Sequence, residues 1–401
     1  DILQLLSKEL QSLGINIVNV GIVTSPLLYF AAKKLTSKSG VMITGSHNPK
    51  NYNGFKIVIN DLPVSGIEML DLISNKPDSK NIGFEIVKTD LMDEYIEEVK
   101  SQASKNSKKI KVVVDCGNGS AGEIAPKLMR ALGHEVVELF CEIDGNFPNH
   151  HPDPGKVENL QDLIESVKEE EADLGIAFDG DGDRLGVVSN LGEIIYPDQL
   201  MMIFSRSVLQ NSKGKEIVFD VKCTNLLAEI ITEAGGIPIM SPTGHFHIKN
   251  TIKKTNAPLA GEMSGHIFFN DAWYGFDDGH YSAFRLIEVI KNSASSLSTM
   301  FDQLPKAFST PELNINVNEE KKFKIVEDFV NKAQFKGGSK VTIDGLRVDF
   351  DDGWGLLRAS NTTPKLVLRF EAKTPSRLNE IKNMFLNQLK LIDETIHIDI
   401  S

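Results

Sequence analysis

Apolar positions along this chain follow two alternating rhythms. "DILQLLSKELQ" spaces its leucines along one helical face, "INIVNVGIV" is a β-branched run, "PLLYFAAKKL" is helical again and "GVMITG" returns to strand. Strand, helix, strand in that order is the logic of a βαβ unit, whose parallel strands are joined through a helix lying on the sheet. The rhythm recurs after residue 95, where "KIKVVVDCG", "AGEIAPKLMRALG", "HEVVELF", "LQDLIESVKEEE" and "DLGIAFDG" alternate between strand and helix. A third round reads "DQLMMIFSRSVLQ" as helix, "EIVFDV" as strand, "NLLAEIITEAGG" as helix and "IPIMSP" as strand. From about residue 308 the order changes. Short strands, "ELNINVN", "KVTIDGLRVDF", "GWGLLRAS" and "KLVLRFEA", accompany the helices "KIVEDFVNKAQ" and "RLNEIKNMFLNQL", which is antiparallel α+β patterning.

The chain therefore predicts an α/β protein. Three similar α/β domains with mixed, largely parallel sheets occupy residues 1–95, 96–194 and 195–307, and a C-terminal α+β domain occupies 308–401. A length of 401 residues agrees, being too great for one compact core. Composition then excludes several classes. Hydrophobic residues at 41% beside 24% charged residues describe a soluble globular chain, with no run of about 18 apolar residues to span a membrane. A net charge of -12 argues against a nucleic-acid surface but leaves room for a small anion in a local basic pocket. Cys116, Cys141 and Cys223 lie far apart with no CxxC pair, which predicts a reducing, cytoplasmic setting without disulfides or a thiolate metal site.

Chemistry concentrates in a few short segments. In "LGIAFDGDGDRLGVV", Asp179, Asp181 and Asp183 alternate with Gly180 and Gly182 directly after a strand. Three carboxylates so close repel one another, each resists ionisation without a cation, and hard oxygen ligands suit Mg²⁺ or Ca²⁺. An EF-hand loop fails here, because Arg184 holds the sixth place and Asn190 the twelfth. Arg184 beside the trio offers a fork of donors to a phosphate. "VVVDCGNGSAG" carries a literal G-x-G-x-x-G at Gly117, Gly119 and Gly122, with Glu142 about 20 residues on. No second dinucleotide-binding half is apparent, so these glycines read as shaping a βα turn. In "AGEMSGHIFF", Glu262, Ser264 and His266 alternate, and on an extended segment they would share one face suited to sugar hydroxyls. "LLRASNTTPKLVLRF" presents Arg358, Ser360, Asn361, Thr362 and Thr363 before Pro364, the makings of an anion cradle. "DVKCT" and "PTGHFHIK" end two predicted strands, the edge where open α/β sheets bind ligands, and bring in Lys222 and His245. Finally "MITGSHNP" packs Ser46 and His47 into a loop after a strand, a turn serine or a nucleophile by its own residues alone.

Taken in order, TGSHNP, DGDGDR, GEMSGH and RASNTTP resemble the α-D-phosphohexomutase family, and the resemblance runs from "VTSPLLYFAA" to the C-terminal module. It implies four domains around a central cleft, each giving one loop. It implies reversible phosphoryl transfer between the 1- and 6-positions of mannose or glucose phosphate, through a phosphoserine and a hexose 1,6-bisphosphate that also acts as activator. On that resemblance Ser46 carries the phosphate, and Asp179, Asp181 and Asp183 hold Mg²⁺ together with it. Glu262 and Ser264 read sugar hydroxyls with His266 nearby, and Arg358, Ser360, Asn361 and Thr362 grip the distal phosphate. His47, Lys56, Arg184 and His245 fall at catalytic cleft positions, and Lys222 at a substrate position. The partner implied is a small phosphosugar met by a monomer, with no nucleic acid or membrane.

Two departures qualify the resemblance. The family's N-terminal "GTSGxRG"-like segment does not occur, so the chain is expected to start about a half-domain late. Gln199 stands in "YPDQ" where close relatives often carry arginine, and is expected to weaken distal-phosphate binding. These departures give a non-catalytic phosphosugar-binding protein its footing as an alternative. A phosphoglucosamine mutase is the other, and "GEMSGH" speaks against it.

Overall fold

In a computed structural model the described residues are 2–49, 51–64, 66, 68–69, 86–361, 363–394 and 396. The first unit holds β1 (Ile17–Asn19), β2 (Gly40–Ile43), β3 (Phe55–Ile59), β4 (Leu62–Pro63) and β5 (Ile86–Lys88). Its pairing differs from the βαβ expectation. β1 runs parallel to β5, whereas β2 does not join β1 but turns back into the antiparallel meander β2–β3–β4, with Ile43 opposite Phe55. The reason is local: "GFKIVIN" is itself a strand, only eleven residues beyond β2, close enough for a hairpin. The helix Ser25–Lys34 between β1 and β2 is started by Thr24, whose hydroxyl accepts from the Leu27 N–H at 3.4 Å, and by Pro26 in its first turn.

The second unit is a five-stranded sheet built from β6 (Lys111–Asp115), β7 (Glu135–Leu139), β8 (Leu174–Phe178), β9 (Leu185–Ser189) and β10 (Ile194–Ile195) in the order β10–β9–β8–β6–β7. β7, β6 and β8 are parallel, and β9 and β10 close the sheet antiparallel. Alternation along β6 splits its valines between two layers. Val112 and Val114 pack with Ile124 and Leu128 of the helix Ala121–Ala131, while Val113 packs with Leu163 and Val167 of the helix Gln161–Glu169. The third unit repeats the plan with β11 (Glu216–Asp220), β12 (Ile237–Ser241), β13 (Leu259–Gly261) and β14 (Ile267–Phe269). The first three are parallel, and β14 returns antiparallel on β13. The fourth is wholly antiparallel, from β15 (Phe308–Ser309), β16 (Leu313–Asn316), β17 (Ser339–Val341), β18 (Leu346–Phe350), β19 (Gly353–Ala359) and β20 (Lys365–Ala372). The helices Lys322–Lys332 and Pro375–Ile392 cover it with Phe329 and Phe385.

One core runs through the first three units. Phe30, Tyr95, Trp273 and Tyr281 interlock, with Trp273 stacked on Tyr281 at 4.5 Å between centroids and edge-on to Tyr95 at 5.6 Å. The fourth unit has its own core and docks through buried arginines. Arg347 Nη1 donates to the carbonyls of Val221 at 2.6 Å and Cys223 at 2.8 Å, and its guanidinium lies 3.8 Å over Trp354.

The helix Gly279–Lys291 meets the loop after β8 end-on. A side chain at Gly279 would reach within 2.8 Å of the Gly182 and Arg184 carbonyls, so only glycine fits. His280 follows, fully buried against Phe178 and Tyr95, and neither ring nitrogen has a hydrogen-bond partner. Burial pulls it down from 6.5 to about 3, against a small opposing pull from Asp183. As pH falls below the ordinary histidine value, the unfolded chain gains a proton that the folded chain refuses. Stability is therefore lost between about pH 6.5 and 3. His280→Leu is predicted to be less acid-sensitive. Urea unfolding should show the parent losing about 2 kcal/mol more than the variant between pH 6.5 and 5, and parallel losses would refute the assignment.

Candidate active site

Four loops in equivalent places carry most of the predicted residues, while Lys56 and Arg358 sit on the strands β3 and β19, Lys222 just after β11 and His245 at the start of a helix. Each loop joins a strand to an antiparallel neighbour: residues 44–54 between β2 and β3, 179–184 between β8 and β9, 262–266 between β13 and β14, and 360–364 between β19 and β20. Hairpin loops project beyond the sheet and leave their side chains free for a ligand.

Ser46 sits in a tight turn closed by Asn48 N–H donating to the Gly45 carbonyl at 2.9 Å. Its φ of 50° is the left-handed region, costly for a residue with a Cβ, and its N–H is tied to Thr44 Oγ1 at 2.7 Å. Ser46 Oγ donates to Asp179 Oδ2 at 3.1 Å and lies 3.1 Å from His47 Nδ1. Burial and the nearby Arg184 pull His47 down to about 4, so it stands neutral at pH 7.

Asp179, Asp181 and Asp183 are all buried, and each offers an oxygen within 4.8 Å of the others'. Lys56, from β3, donates to Asp181 at 2.7 Å and to Asp183. Ser25 Oγ adds a 2.6 Å bond to Asp181, and the Asp183 and Arg184 N–H groups donate to Asp179 Oδ1 at 3.1 and 3.2 Å. Burial, then Asp183 and Asp181, push the Asp179 carboxyl well above its usual range, the mutual repulsion the sequence predicts. Burial works against Asp183 as well, yet Lys56 and His266 outweigh it and hold that carboxyl low. Asp181 Oδ1 has no hydrogen-bond partner, and Asp183 Oδ1 faces only the His266 imidazole, at 3.3 Å. Converging buried oxygens left partnerless are what a hard cation requires, so this trio fits a divalent ion.

The loop 262–266 is arranged differently from the expectation. Residues 262–266 are not extended but form a tight turn. His266 O accepts from Glu262 N–H at 2.9 Å, Glu262 O accepts from Gly265 N–H at 3.0 Å, and Gly265 takes a φ of 98°. A shared strand face therefore does not bring the three side chains together; the turn does. His266 Nδ1 meets Glu262 Oε2 at 3.1 Å and Ser264 Oγ at 2.9 Å, and Nε2 faces Asp183. Burial opposes its charge, but Asp183 leads the groups that push it up to about 9. Leu185 N–H donates to the Gly265 carbonyl at 3.1 Å and fastens the acidic loop to the 262–266 turn, while Arg184, whose Nε lies 3.3 Å from His266 Nε2, works against the charge on that ring. His245 opens the helix His245–Thr255 with its ring 6.1 Å from that of His266. Its Nδ1 has no partner, and burial, then Lys249, draw it down to about 4.

Ser46, His47, Lys56, the three aspartates, Arg184, His245, Glu262, Ser264 and His266 thus form one connected group. Lys222 and Arg358 form a second. Lys222 Nζ donates to Glu312 at 3.1 Å, while Arg358 Nε donates to Asp344 at 2.9 Å and keeps a buried, partnerless Nη2. Ser360 Oγ accepts the Thr363 N–H at 3.2 Å, Asn361 is exposed, and Thr362 lies outside the described residues. The turn 262–266 stands between the groups: Met263 N–H donates to Asp220 at 3.1 Å, Thr243 Oγ1 donates to Asp220 at 3.0 Å, and Thr243 N–H donates to Asp344 at 3.0 Å. Gln199 accepts the Tyr196 N–H at 3.0 Å and so caps its own helix. The G-x-G-x-x-G glycines are packing residues. A side chain at Gly119 would lie 2.8 Å from the Gly180 carbonyl, and one at Gly122 would lie 1.9 Å from that of Cys141.

Sequence reasoning missed Thr24, Ser25 and His151, which brace loops of a neighbouring unit, and His150 and Asp153, which fix His151 and meet Arg184 within the second unit. Only "TSP", a helix start, and the paired histidines of "NHHP" offered any signal.

Domain by domain, the chain matches the phosphoglucomutase/phosphomannomutase alpha/beta/alpha domain I over residues 1–76, domain II over 93–192, domain III over 196–308 and the C-terminal domain over 312–388. It is 51% identical over 395 residues to a phosphomannomutase/phosphoglucomutase of Pseudomonas syringae, spanning 98% of this chain and 84% of that protein. It is 48% identical over 391 residues to a phosphoglucomutase of Neisseria gonorrhoeae, at 96% and 85% coverage. Among solved structures, a phosphoglucomutase/phosphomannomutase family protein of Burkholderia thailandensis superposes with a TM-score of 0.90 at 45% identity, covering 97% of this chain and 85% of that one.

The buried trio makes a prediction independent of activity. Millimolar Mg²⁺ or Mn²⁺ should raise the thermal midpoint of the parent protein, as any ligand of the folded state does, and Asp181→Asn should abolish that rise. An equal rise in the variant would sink the cation assignment.

Proposed function

The chain belongs to the phosphoglucomutase/phosphomannomutase family, and from that premise we propose that Ser46 is its phosphate carrier. The protein is a phosphohexomutase, an isomerase moving a phosphoryl group between the 1- and 6-oxygens of glucose or mannose phosphate. The observation that carries the Ser46 assignment is its hydroxyl, poised on a strained turn between Asp179 and a neutral His47 and one loop away from Lys56.

In this reading phosphoserine 46 gives its phosphoryl group to a sugar hydroxyl. The P–Oγ bond breaks, a P–O bond to the sugar forms, and the hydroxyl proton passes to a base. Neutral His245, buried with a free Nδ1, is suited to take that proton. Neutral His47 is suited to accept the Ser46 Oγ proton as the serine is phosphorylated and, so charged, to return it when the P–Oγ bond breaks. Transfer of this kind needs alignment and charge neutralisation more than covalent help, and Lys56 and Arg184 supply fixed positive charge. Asp179, Asp181 and Asp183 would hold a divalent cation, Mg²⁺ in this reading, which when bound lends further positive charge at the Ser46 phosphate.

The bisphosphate then turns end for end and the second phosphate returns to Ser46. Such a step requires a grip indifferent to which phosphate is distal, the role of Lys222, Arg358, Ser360, Asn361 and Thr362. It also requires contacts to hydroxyls in the middle of the ring, the role of Glu262 and Ser264, with His266 orienting Glu262. A trace of hexose 1,6-bisphosphate would load the serine. All these residues come from one chain, so a monomer is the working unit in this reading. The three free thiols suit a reducing cytoplasm.

The test is a coupled assay with mannose 1-phosphate or glucose 1-phosphate, Mg²⁺ and trace bisphosphate, run beside intact mass. Ser46→Ala should lose turnover by on the order of 10³-fold or more and lose one covalent phosphate from the protein mass. An active alanine variant would end the carrier reading.

A further inference from the structure

The carrier turn is held from outside its own unit, and that hold has a specific author in the sequence: the segment 147–154 of the second unit. A turn closed between Gly45 and Asn48 leaves its two central carbonyls, those of Ser46 and His47, without partners inside the turn. The second unit packs against the first and hydrogen-bonds the second. The Ser46 carbonyl lies against Gly180, where any side chain would come within 2.2 Å of it. The His47 carbonyl accepts a hydrogen bond from His151 Nε2.

His151 is itself fixed. His150 Nδ1 donates to the His151 carbonyl at 3.0 Å, and His150 Nε2 meets the buried Asp115 carboxylate at 2.9 Å. Pro152 fills the space between Gly117 and Gly180, since a Cβ on Gly117 would lie 3.0 Å from Pro152 Cβ and one on Gly180 would lie 3.5 Å from Pro152 Cγ. Asp153 reaches Arg184 at 4.0 Å. One segment therefore touches the carrier turn, the acidic loop and Arg184 together.

We propose that His151 is a positioning residue for phosphoryl transfer: by holding the His47 carbonyl it keeps Ser46 in its left-handed conformation and its Oγ aimed past Asp179. The histidine touches neither the serine hydroxyl nor the acidic trio by any hydrogen bond. Its effect is on alignment, where a displacement of about 1 Å costs roughly 100-fold in rate. The proposal rests on Ser46 being the carrier.

The experiment compares the parent, His151→Leu and His151→Gln, the last retaining an N–H donor near the same reach. His151→Leu should lower kcat roughly 10- to 100-fold with KM for the hexose 1-phosphate and the thermal midpoint unchanged, and His151→Gln should restore most of kcat. Full kcat in the leucine variant overturns the proposal, as does a loss confined to KM or a glutamine variant no better than leucine. If His151→Leu does not fold, His151→Ala gives the same kcat reading with space for water in place of the ring. The carrier reading fails separately: parent protein without covalent phosphate at Ser46, or an active Ser46→Ala variant, ends that reading, whereas phosphorylated Ser46 in a full-rate His151→Leu enzyme removes the positioning role alone.

Discussion

Buried negative charge is the constraint on which the rest of this structure depends. Three carboxylates within 4.8 Å of one another, all shielded from water, would be expensive to ionise in isolation. The fold answers with compensation from every side: Lys56 from the first unit, Arg184 from the loop itself, and His266 from the third unit. Ser25 and two backbone N–H groups satisfy further oxygens. Because Lys56, Ser25 and His266 come from other units than the acids they serve, the acidic loop also ties the units together.

A single architectural device makes that possible. In the first three units a strand ends at the site and its antiparallel neighbour leads away, so the chemistry sits in a hairpin loop, and the fourth unit does the same between β19 and β20. Glycine is used where these loops touch. Gly180 lets the Ser46 carbonyl approach, and Gly279 lets the third unit's helix abut the acidic loop. A methyl group at either point would push apart the groups whose charges must offset each other.

This division explains what could be read from sequence. "DGDGDR" announced a cation trio because its ligands are local, spaced two apart after a strand. "TGSHNP" by its own residues left a turn serine and a nucleophile both open, since the groups that hold this turn and its hydroxyl, Asp179 and His151, lie more than a hundred residues away. The four-part order of strands and helices was legible from periodicity, but the partner of β2 was not, because its identity depended on recognising Phe55–Ile59 as a strand. The turn at 262–266 was mistaken for extended chain for a related reason. Alternating polar residues mimic a strand face, and only the φ of Gly265 distinguishes a tight reversal.

The two positively charged groups are set apart for a physical reason. Lys56 and Arg184 are already engaged by the acidic trio, so their charge is committed to the reacting end of the site. Lys222 and Arg358 lean on Glu312 and Asp344, one partner each, and Arg358 retains a buried donor without one. A buried guanidinium donor left open is costly unless an anion arrives to accept it. Between them the 262–266 turn is anchored to both, through His266 to Asp183 and through Met263 to Asp220. A ligand that places one anion at each end and hydroxyls across the turn satisfies all three at once. In the proposed reading a hexose 1,6-bisphosphate, with an anion at each end and hydroxyls between, would suit them whichever of its ends faces Ser46, and this indifference to direction is what a reversible mutase demands of its site.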